Sequence, residues 1–194
     1  SAPSLYSPGI PVSNISFSTR RLHRVALNEK LAPYLGIGFT PVENVTAVRL
    51  NIDGDFYYDN TSSLNEVFGM SKETVWQFAS AEQSGTGSWQ GREFSNSYDN
   101  IFSPGNNWYT NLYANQRTTQ AVYKFPVPRE LDRVVIYQEN DPRYLKKFSL
   151  DYTTEANPNL NSHFQPVVIN AITEGIPNNL ALSSFTGPLV KAAK

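Results

Sequence analysis

The sequence predicts an all-β protein, built as an antiparallel sandwich with one or two short helices and extended N- and C-terminal arms. Aromatic residues make up 13% of the 194 residues and charged residues only 17%, a balance typical of sheets and contact surfaces. Short runs of alternating apolar residues, separated by turn residues, recur over the middle of the chain, as strands do in a sandwich. Proline-containing segments with few apolar clusters precede and follow these runs.

The charge balance and the absence of cysteine exclude several classes of function. Lys and Arg total 16 against 17 Asp and Glu, so no global field attracts nucleic acid or an anionic membrane surface. The chain has no cysteine, which excludes disulfides, thiolate nucleophiles and Cys-ligated metal sites. No apolar stretch of about 18 residues occurs, so membrane insertion is not expected. Partners must therefore be recognised locally, by particular residues.

We divide the chain into three parts: an N-terminal arm over residues 1–43, a sandwich domain over residues 44–170 and a C-terminal arm over residues 171–194. The N-terminal arm contains five prolines. Within it, residues 18–35 predict a short helix, because apolar residues recur near helical spacing and Pro33 would end it.

The first strand of the sandwich is predicted over residues 45–52, where apolar residues alternate. Asp53 and Gly54 follow directly. This dipeptide predicts a tight hairpin, because both central residues of a type I′ turn need positive φ. An aromatic run comes next and would form the second strand of the hairpin.

The acidic residues around this turn also suggest a calcium site. Asn51, Asp53, Asp55 and Asp59 lie close together in the sequence, and calcium prefers oxygen ligands. An EF-hand loop does not fit, since Phe56 stands where its glycine belongs. A turn is the preferred interpretation, and a structural calcium of another kind, on Asp53, Asp55 and Asp59, stays open.

A helix and a long aromatic loop are predicted next. Residues 71–83 predict the best helix of the chain, because Ser71 can cap it and Val75 and Phe78 lie on one face. Residues 84–117 then combine Gly, Ser and Asn with seven aromatic residues. Such a stretch is too aromatic for a disordered linker, so we expect an ordered, partly exposed loop.

Four further strands are predicted in the second half of the chain. Alternating apolar residues at short spacings indicate them, and Pro126 and Pro128 are expected to turn the chain after the first. The four runs are residues 119–125, 133–138, 148–153 and 164–169.

Residues 106–155 contain a succession of loops and strands whose order can be compared with a known domain family. A Trp-bearing loop is followed by two strands, a short loop with Pro and Arg, and a third strand. In this sequence the pieces are Trp108 and residues 121–125, 131–137, 142–144 and 148–152. This succession resembles the later half of a galactose-binding-like domain, the discoidin or coagulation-factor type C family. The resemblance implies an eight-stranded antiparallel jelly roll whose loops at one end bind sugars, lipids or proteins, often with a structural calcium nearby.

The resemblance also implies where a ligand would bind. The loop at that end would include six residues: Asn106, Asn107, Trp108, Tyr109, Tyr113 and Arg117. Sugar recognition needs an aromatic face for the apolar side of the ring and amide or guanidinium donors for its hydroxyls. The loop has both kinds of group.

Each aromatic residue of this loop also has a structural interpretation. A Trp at the entry to a strand more often fills the end of the core than contacts a ligand, so a core role is the preferred interpretation for Trp108. Tyr109 and Tyr113 could equally lie in a protein interface, where Tyr is enriched.

Catalysis has little support in the sequence, and we expect the chain not to be an enzyme. Only His23 and His163 could act as a base near neutral pH, and no hydrolase, metalloprotease or nucleotide-binding motif is present. A paired-carboxylate glycosidase stays an alternative, because two acids brought together in space leave no sequence pattern. The acids within or nearest to the predicted loop over residues 84–117 are Glu82, Glu93, Asp99 and Glu139.

Two functions follow from this organisation. Ordering an arm of about forty residues costs on the order of 1 kcal/mol per residue in backbone entropy, and contacts with neighbouring subunits could offset that cost. The first hypothesis is therefore a non-catalytic structural subunit of a virus or phage particle (capsid decoration, minor capsid, neck or tail), contacting other protein subunits through both arms. The second is a secreted or surface lectin-like module that binds glycan through the Trp108 loop. Apart from the calcium, no cofactor is expected.

Overall fold

The computed structural model describes residues 34–53, 62–72, 74–85, 91–101, 105–110, 118–137, 145, 147–173 and 190–192. Most of these residues lie in strands, and the strands pair antiparallel. The helix in this part of the chain is a short 3-10 helix, Phe94–Tyr98. The predicted all-β sandwich is confirmed. None of the described segments forms a helix long and apolar enough to cross a membrane.

The described strands follow one another in chain order with the 3-10 helix between the fifth and the sixth. They are β1 (Tyr34–Asp53), β2 (Ser63–Leu64), β3 (Glu66–Ser71), β4 (Thr74–Trp76), β5 (Ser80–Gln83), β6 (Trp108–Tyr109), β7 (Thr118–Tyr137), β8 (Lys147–Thr153), β9 (Gln165–Thr173) and β10 (Val190–Ala192). The main sheet has the order β10-β9-β8-β1-β7-β3-β4, with β5 also paired to β7, and β2 and β6 form a separate two-stranded sheet.

Two long strands, β1 and β7, run through both layers of the sandwich. In the front layer, residues 34–38 of β1 pair with residues 133–137 of β7, and β3 and β4 continue that layer. In the back layer, residues 47–53 of β1 pair with residues 118–124 of β7. There β5 pairs with the far side of β7, and β8, β9 and β10 continue on the far side of β1.

The two layers are joined where the ladder between β1 and β7 is irregular. Its register shifts between Gly38 and Ala47 of β1. On β7 this region contains Pro126 and Pro128, which lie exposed together with Val127. Proline has no N–H to donate to a ladder. The two predicted runs on either side of the prolines are therefore one bent strand, and the prolines interrupt its pairing rather than end it.

The core lies between the layers and includes residues of both. Ile37, Phe68 and Val134 come from the front layer, whereas Leu50 and Tyr123 come from the back layer, and each is at most 1% exposed. The four residues from Val134 to Tyr137 are all buried, so both faces of this part of β7 are covered. The predicted run over residues 133–138 therefore lies in a central part of the fold.

The predicted helix over residues 71–83 is wrong. Ser71 ends β3, a turn with Lys72 at φ 53° follows, and β4 pairs back with β3. The Ser71 hydroxyl donates to Glu130 Oε1 (2.8 Å) instead of capping a helix. Farther on, β5 pairs with residues 121–124 of β7. A helix of this length is marginal on its own, and hydrogen bonds to β3 and β7 decide the outcome.

The predicted hairpin at Asp53 and Gly54 is also wrong. Ile52 pairs with Thr119 on one side and with Phe148 on the other. Both hydrogen-bonding edges of the strand are therefore occupied by strands distant in the sequence, and no edge is left for a hairpin partner. Gly54 and the aromatic run after it lie outside the described residues.

The sandwich extends beyond both predicted domain boundaries. β1 begins at Tyr34, before the expected start at residue 44. At the other end β9 continues to Thr173, and β10 pairs with it inside the predicted C-terminal arm. Residues 1–33, which include most of the helix predicted over residues 18–35, lie outside the described part of the chain.

Candidate functional site

Four of the six candidate ligand-binding residues, at positions 106–109, lie in a segment we call the aromatic loop, defined as residues 91–101 and 105–110. The small β2–β6 sheet holds this loop in place: Leu64 pairs with Trp108 and Ser63 with Tyr109. Backbone bonds extend the attachment, since Thr110 N donates to Ser62 O (3.0 Å). The loop is thus fixed to the segment that leads into β3.

Trp108 is part of the core. Its side chain is 0% exposed, and its ring packs edge to face on Phe94 with 4.6 Å between the ring centroids. The core interpretation of Trp108 is confirmed. Its place among the ligand-binding candidates is corrected, because a fully buried ring offers no face to a sugar.

Packing among aromatic rings explains why the loop is ordered. Phe94 contacts Tyr98 (5.5 Å between centroids) and Tyr123 (5.7 Å) as well as Trp108. Phe78 adds a second contact to Tyr123 (5.0 Å). Pairs of this geometry contribute about 0.5–1.5 kcal/mol each beyond area burial. Most loop aromatics for which the structure gives contacts therefore face inward.

The two asparagines are already engaged in internal hydrogen bonds. Asn107 is 0% exposed and donates from Nδ2 to Ser63 Oγ (2.7 Å). Its Oδ1 accepts from Arg92 Nη1 (2.7 Å). Asn106 donates from Nδ2 to both carboxylate oxygens of Asp99 (3.2 and 3.0 Å). These amides shape the loop, and a sugar hydroxyl would have to compete with partners inside the protein.

Tyr109 is the aromatic candidate that stays partly accessible among the described residues. The Arg92 guanidinium lies 5.1 Å from the centroid of its ring, within the range of a cation–π contact. An aromatic face with a guanidinium beside it is the combination expected for a polar ligand or a protein interface. Tyr113 and Arg117 lie outside the described residues, so their predicted roles stay predictions.

A buried carboxyl beside the loop was not predicted. Glu66, the first residue of β3, is 2% exposed, and its Oε2 accepts a hydrogen bond from the Asn100 backbone N–H (2.9 Å). The pKa of Glu66 is raised to about 9, mainly by burial and to a smaller extent by the negative charge of Asp99. The sequence signal is weak: a single acid between Asn65 and Val67. Its contact with Asp99 depends on the fold.

Among the acids considered for catalysis, those that the structure describes form no facing pair. Glu82 accepts from Leu160 N (2.7 Å) and lies 3.3 Å from Lys124 Nζ. Glu93 is exposed, and Glu139 lies outside the described residues. No group of three or more His, Cys, Asp or Glu that could hold a metal occurs within the segments that the structure describes. His163 is exposed, and His23 is not in those segments.

The calcium hypothesis at residues 51–59 stays untested. The Asp53 side chain, Asp55 and Asp59 lie outside the described part. Asn51, which is described, bonds within the sheet: Nδ2 donates to Asp151 (2.9 Å), and Oδ1 accepts from Gln120 (2.9 Å).

The fold and this loop together define an all-β sandwich protein with an internally bonded loop at one end. No family model, curated protein or solved structure matches the chain. The likeness to galactose-binding-like domains therefore stays a prediction.

Proposed function

We propose that this chain is a non-catalytic structural subunit of a larger assembly, a virion protein of a virus or phage (capsid decoration, minor capsid, neck or tail). The observation that carries the proposal is the division of the chain. The sandwich starts at Tyr34, and the residues before it include four prolines with few apolar clusters. Such a segment can offset the entropy of its ordering through contacts with a neighbouring subunit.

The organisation of the loop also favours a structural role. Trp108 is inside the core, and both asparagine amides bond to other groups of the chain. A loop held by internal amide hydrogen bonds is rigid, which suits a surface that packs against another subunit. A preformed ligand site would instead leave donors directed outward.

The two ends of the chain contribute differently to this proposal. β10 pairs with β9 of the same chain, so residues 190–192 belong to the sandwich itself. We therefore assign the contacts with neighbouring subunits mainly to residues 1–33 and only secondarily to the C-terminal segment.

Limited proteolysis of the purified full chain tests the proposal. We expect rapid cleavage within residues 1–33 of the isolated protein and survival of the sandwich, as judged by mass spectrometry and circular dichroism. In the assembled particle the same sites should be protected. A monomer that resists cleavage from end to end would contradict the proposal, because the N-terminal segment would then need no neighbour.

The lectin-like alternative now depends on Tyr109 and Arg92, whose ring and guanidinium are adjacent. A glycan array probed with the full chain tests it. If the chain binds glycan, Tyr109→Ala should abolish binding and leave the unfolding midpoint nearly unchanged. Glycan binding that depends on Tyr109 would favour the lectin, and an array without binding would favour the assembly subunit.

A further inference from the structure

Glu66 has one carboxyl oxygen without a hydrogen-bond donor. Its Oε2 accepts from the Asn100 N–H (2.9 Å), whereas Oε1 is buried and has no partner that can donate. The side chain that makes a hydrogen-bonding contact with Glu66 is Asp99. A carboxylate can only accept. The contact between the two acids is therefore favourable only if one of them carries a proton.

Hydrogen bonds and burial differ between the two acids. Asp99 Oδ1 accepts from the Ile101 N–H (3.0 Å), and Asn106 Nδ2 donates to both oxygens. Donors of this kind favour the ionised form of a carboxyl group. Glu66 also accepts from backbone N–H groups, those of Asn100 and Asp99, but it is far more deeply buried than Asp99, and burial favours its neutral form. The proton therefore belongs on Glu66.

We propose that Glu66 donates a proton from Oε1 to the Asp99 carboxylate, and that this shared proton is a pH-dependent latch holding residues 99–101 against β3. The inference is independent of the proposed function. Residues 99–101 then have two states. They are bonded to Glu66 of β3 while the proton is present, and they lose this contact when both acids are ionised.

The groups facing Glu66 agree with this assignment. Asp99 lies in the turn after the 3-10 helix, and Tyr123 of β7 supplies a phenol that interacts with Glu66 and with Tyr98 of that helix. Tyr137 is opposite Glu66 in the ladder. Burial raises the pKa of Tyr123, whose hydroxyl bonds to Ser97 Oγ (2.9 Å). In the described part of the chain, none of the groups that act on the Glu66 carboxyl is a cation.

A metal ion is the other way to join two carboxylates, and the ligands are arranged against it. Asn106 directs its N–H group to three acceptors, the two Asp99 oxygens and the Ile101 carbonyl (3.2 Å), which fixes the orientation of the amide. A calcium or magnesium site would need its carbonyl oxygen instead. The described residues also supply no third acid for such a site.

Glu66→Gln in the full chain is the decisive variant. Its carbonyl can accept from the Asn100 N–H and its amide can donate to Asp99, so the variant reproduces the protonated state at every pH. Infrared spectroscopy should show a carboxylic-acid C=O band in the wild type at neutral pH. We expect this band to disappear as the pH passes about 9 and to be absent from Glu66→Gln. Glu82→Gln, which removes a carboxyl elsewhere, is the matched control and should keep the band.

The loop itself provides a second measurement. Protection of the Asn100 and Ile101 amides against hydrogen exchange, corrected for the intrinsic rate, should fall about tenfold or more in the wild type above that pH. It should stay constant in Glu66→Gln. Asp99→Asn gives a further check: without the neighbouring negative charge, the Glu66 band should disappear at a lower pH than in the wild type.

Three outcomes would overturn the latch. The first is the absence of an acid band in the wild type at neutral pH. The second is an equal band in Glu66→Gln. The third is stabilisation by added Ca²⁺ or Mg²⁺ that is seen in the wild type and lost in Glu66→Gln, which would show that a cation joins the two acids.

Discussion

Trp108 and Tyr109 are neighbours in β6 and have opposite environments. Trp108 pairs with Leu64 and faces the core, whereas Tyr109 pairs with Ser63 and faces Arg92 at the surface. Alternation along a strand places successive side chains on opposite faces. The role of each aromatic residue therefore depends on which face of the strand the core covers.

The two residues should differ strongly in their contribution to stability. Trp108→Ala removes a fully buried ring and leaves a cavity, so we expect the free energy of unfolding to fall by about 3–5 kcal/mol. Tyr109→Ala should cost less than about 1 kcal/mol, since its ring is only partly buried. Urea denaturation measures both. Equal losses would mean that the loop does not separate the two faces as described.

Gly69 is a second residue whose identity depends on its neighbours. A Cβ atom at this position would lie 2.6 Å from Leu131 Cδ1 and 2.9 Å from Phe125 Cζ. Both neighbours are buried and cannot move away freely. The absence of a side chain in β3 lets these two residues pack across the sandwich.

Gly69→Ala should therefore overpack the core. We expect a loss of about 1–3 kcal/mol in the free energy of unfolding. Ser80→Ala, at an exposed position of β5, is the control and should change stability by less than about 0.5 kcal/mol. Thermal and urea unfolding test the pair, and a neutral Gly69→Ala would show that Leu131 and Phe125 have more room than the structure gives them.

Among the secondary-structure elements, β1 is held between β7 and β8 by side chains as well as by its backbone. Arg49 lies opposite Asp151 in the β1–β8 ladder. Its Nε donates to Asp151 Oδ2 (2.8 Å), and its Nη2 forms an ion pair with the same oxygen. The Arg49 guanidinium also lies 4.3 Å from the ring centroid of Phe164. These contacts tie β1, β8 and the segment before β9 together.

A double-mutant cycle on Arg49 and Asp151 should show coupling. Asp151→Asn alone should destabilise the protein by about 1–3 kcal/mol, because it weakens charge-assisted hydrogen bonds in a mostly buried position. The coupling energy between Asp151→Asn and Arg49→Met should lie near 0.5–3 kcal/mol. Equilibrium unfolding of the four proteins measures it. Additive effects would mean that the ion pair adds nothing to the β1–β8 ladder.

At the scale of the whole molecule, Glu66 should make stability fall as the pH rises. Its pKa is about 9 in the folded protein against an ordinary value of 4.5. Between these values the folded chain binds one proton more than the unfolded chain. Stability from this group is therefore fully present below pH 4.5 and is lost as the pH rises through about 9, at about 1.4 kcal/mol per pH unit.

The difference between the wild type and Glu66→Gln isolates this effect, because all other titrating groups are shared. Urea unfolding at several pH values should show the wild type losing stability relative to the variant from acid to alkaline pH. Parallel curves would mean that Glu66 has the same pKa in the folded and the unfolded chain. A wild type that gains relative stability with pH would reverse the sign and exclude the buried neutral form.

Local pattern accounts for the parts of the fold that were predicted correctly. The alternation in residues 133–137 and 148–153 is a property of the strand itself, since side chains repeat with a period of two. The strand-rich character and the predicted runs that became β7, β8 and β9 therefore needed no knowledge of their partners. The same holds for the core role of Trp108, which followed from its position at the entry to a strand.

The errors occurred where distant partners compete with local preference. Residues 71–83 have moderate helical preference, but β3 and β7 offer backbone hydrogen bonds that a short isolated helix cannot match. The predicted hairpin pairing after Asp53 failed for a related reason, because β7 and β8 already occupy both edges of β1. The strands that pair with these two segments cannot be identified from the residues beside the segments.

The sequence by itself determined that this protein is a strand sandwich, with aromatic residues at one end and without the residues for thiol or disulfide chemistry. Only the tertiary structure decided which strands pair, which loop residues are buried, and that Glu66 meets Asp99. The physical reason is the range of the interactions. Strand character depends on neighbouring residues, whereas pairing, burial and the protonation of a buried carboxyl depend on groups that the chain brings together from distant positions.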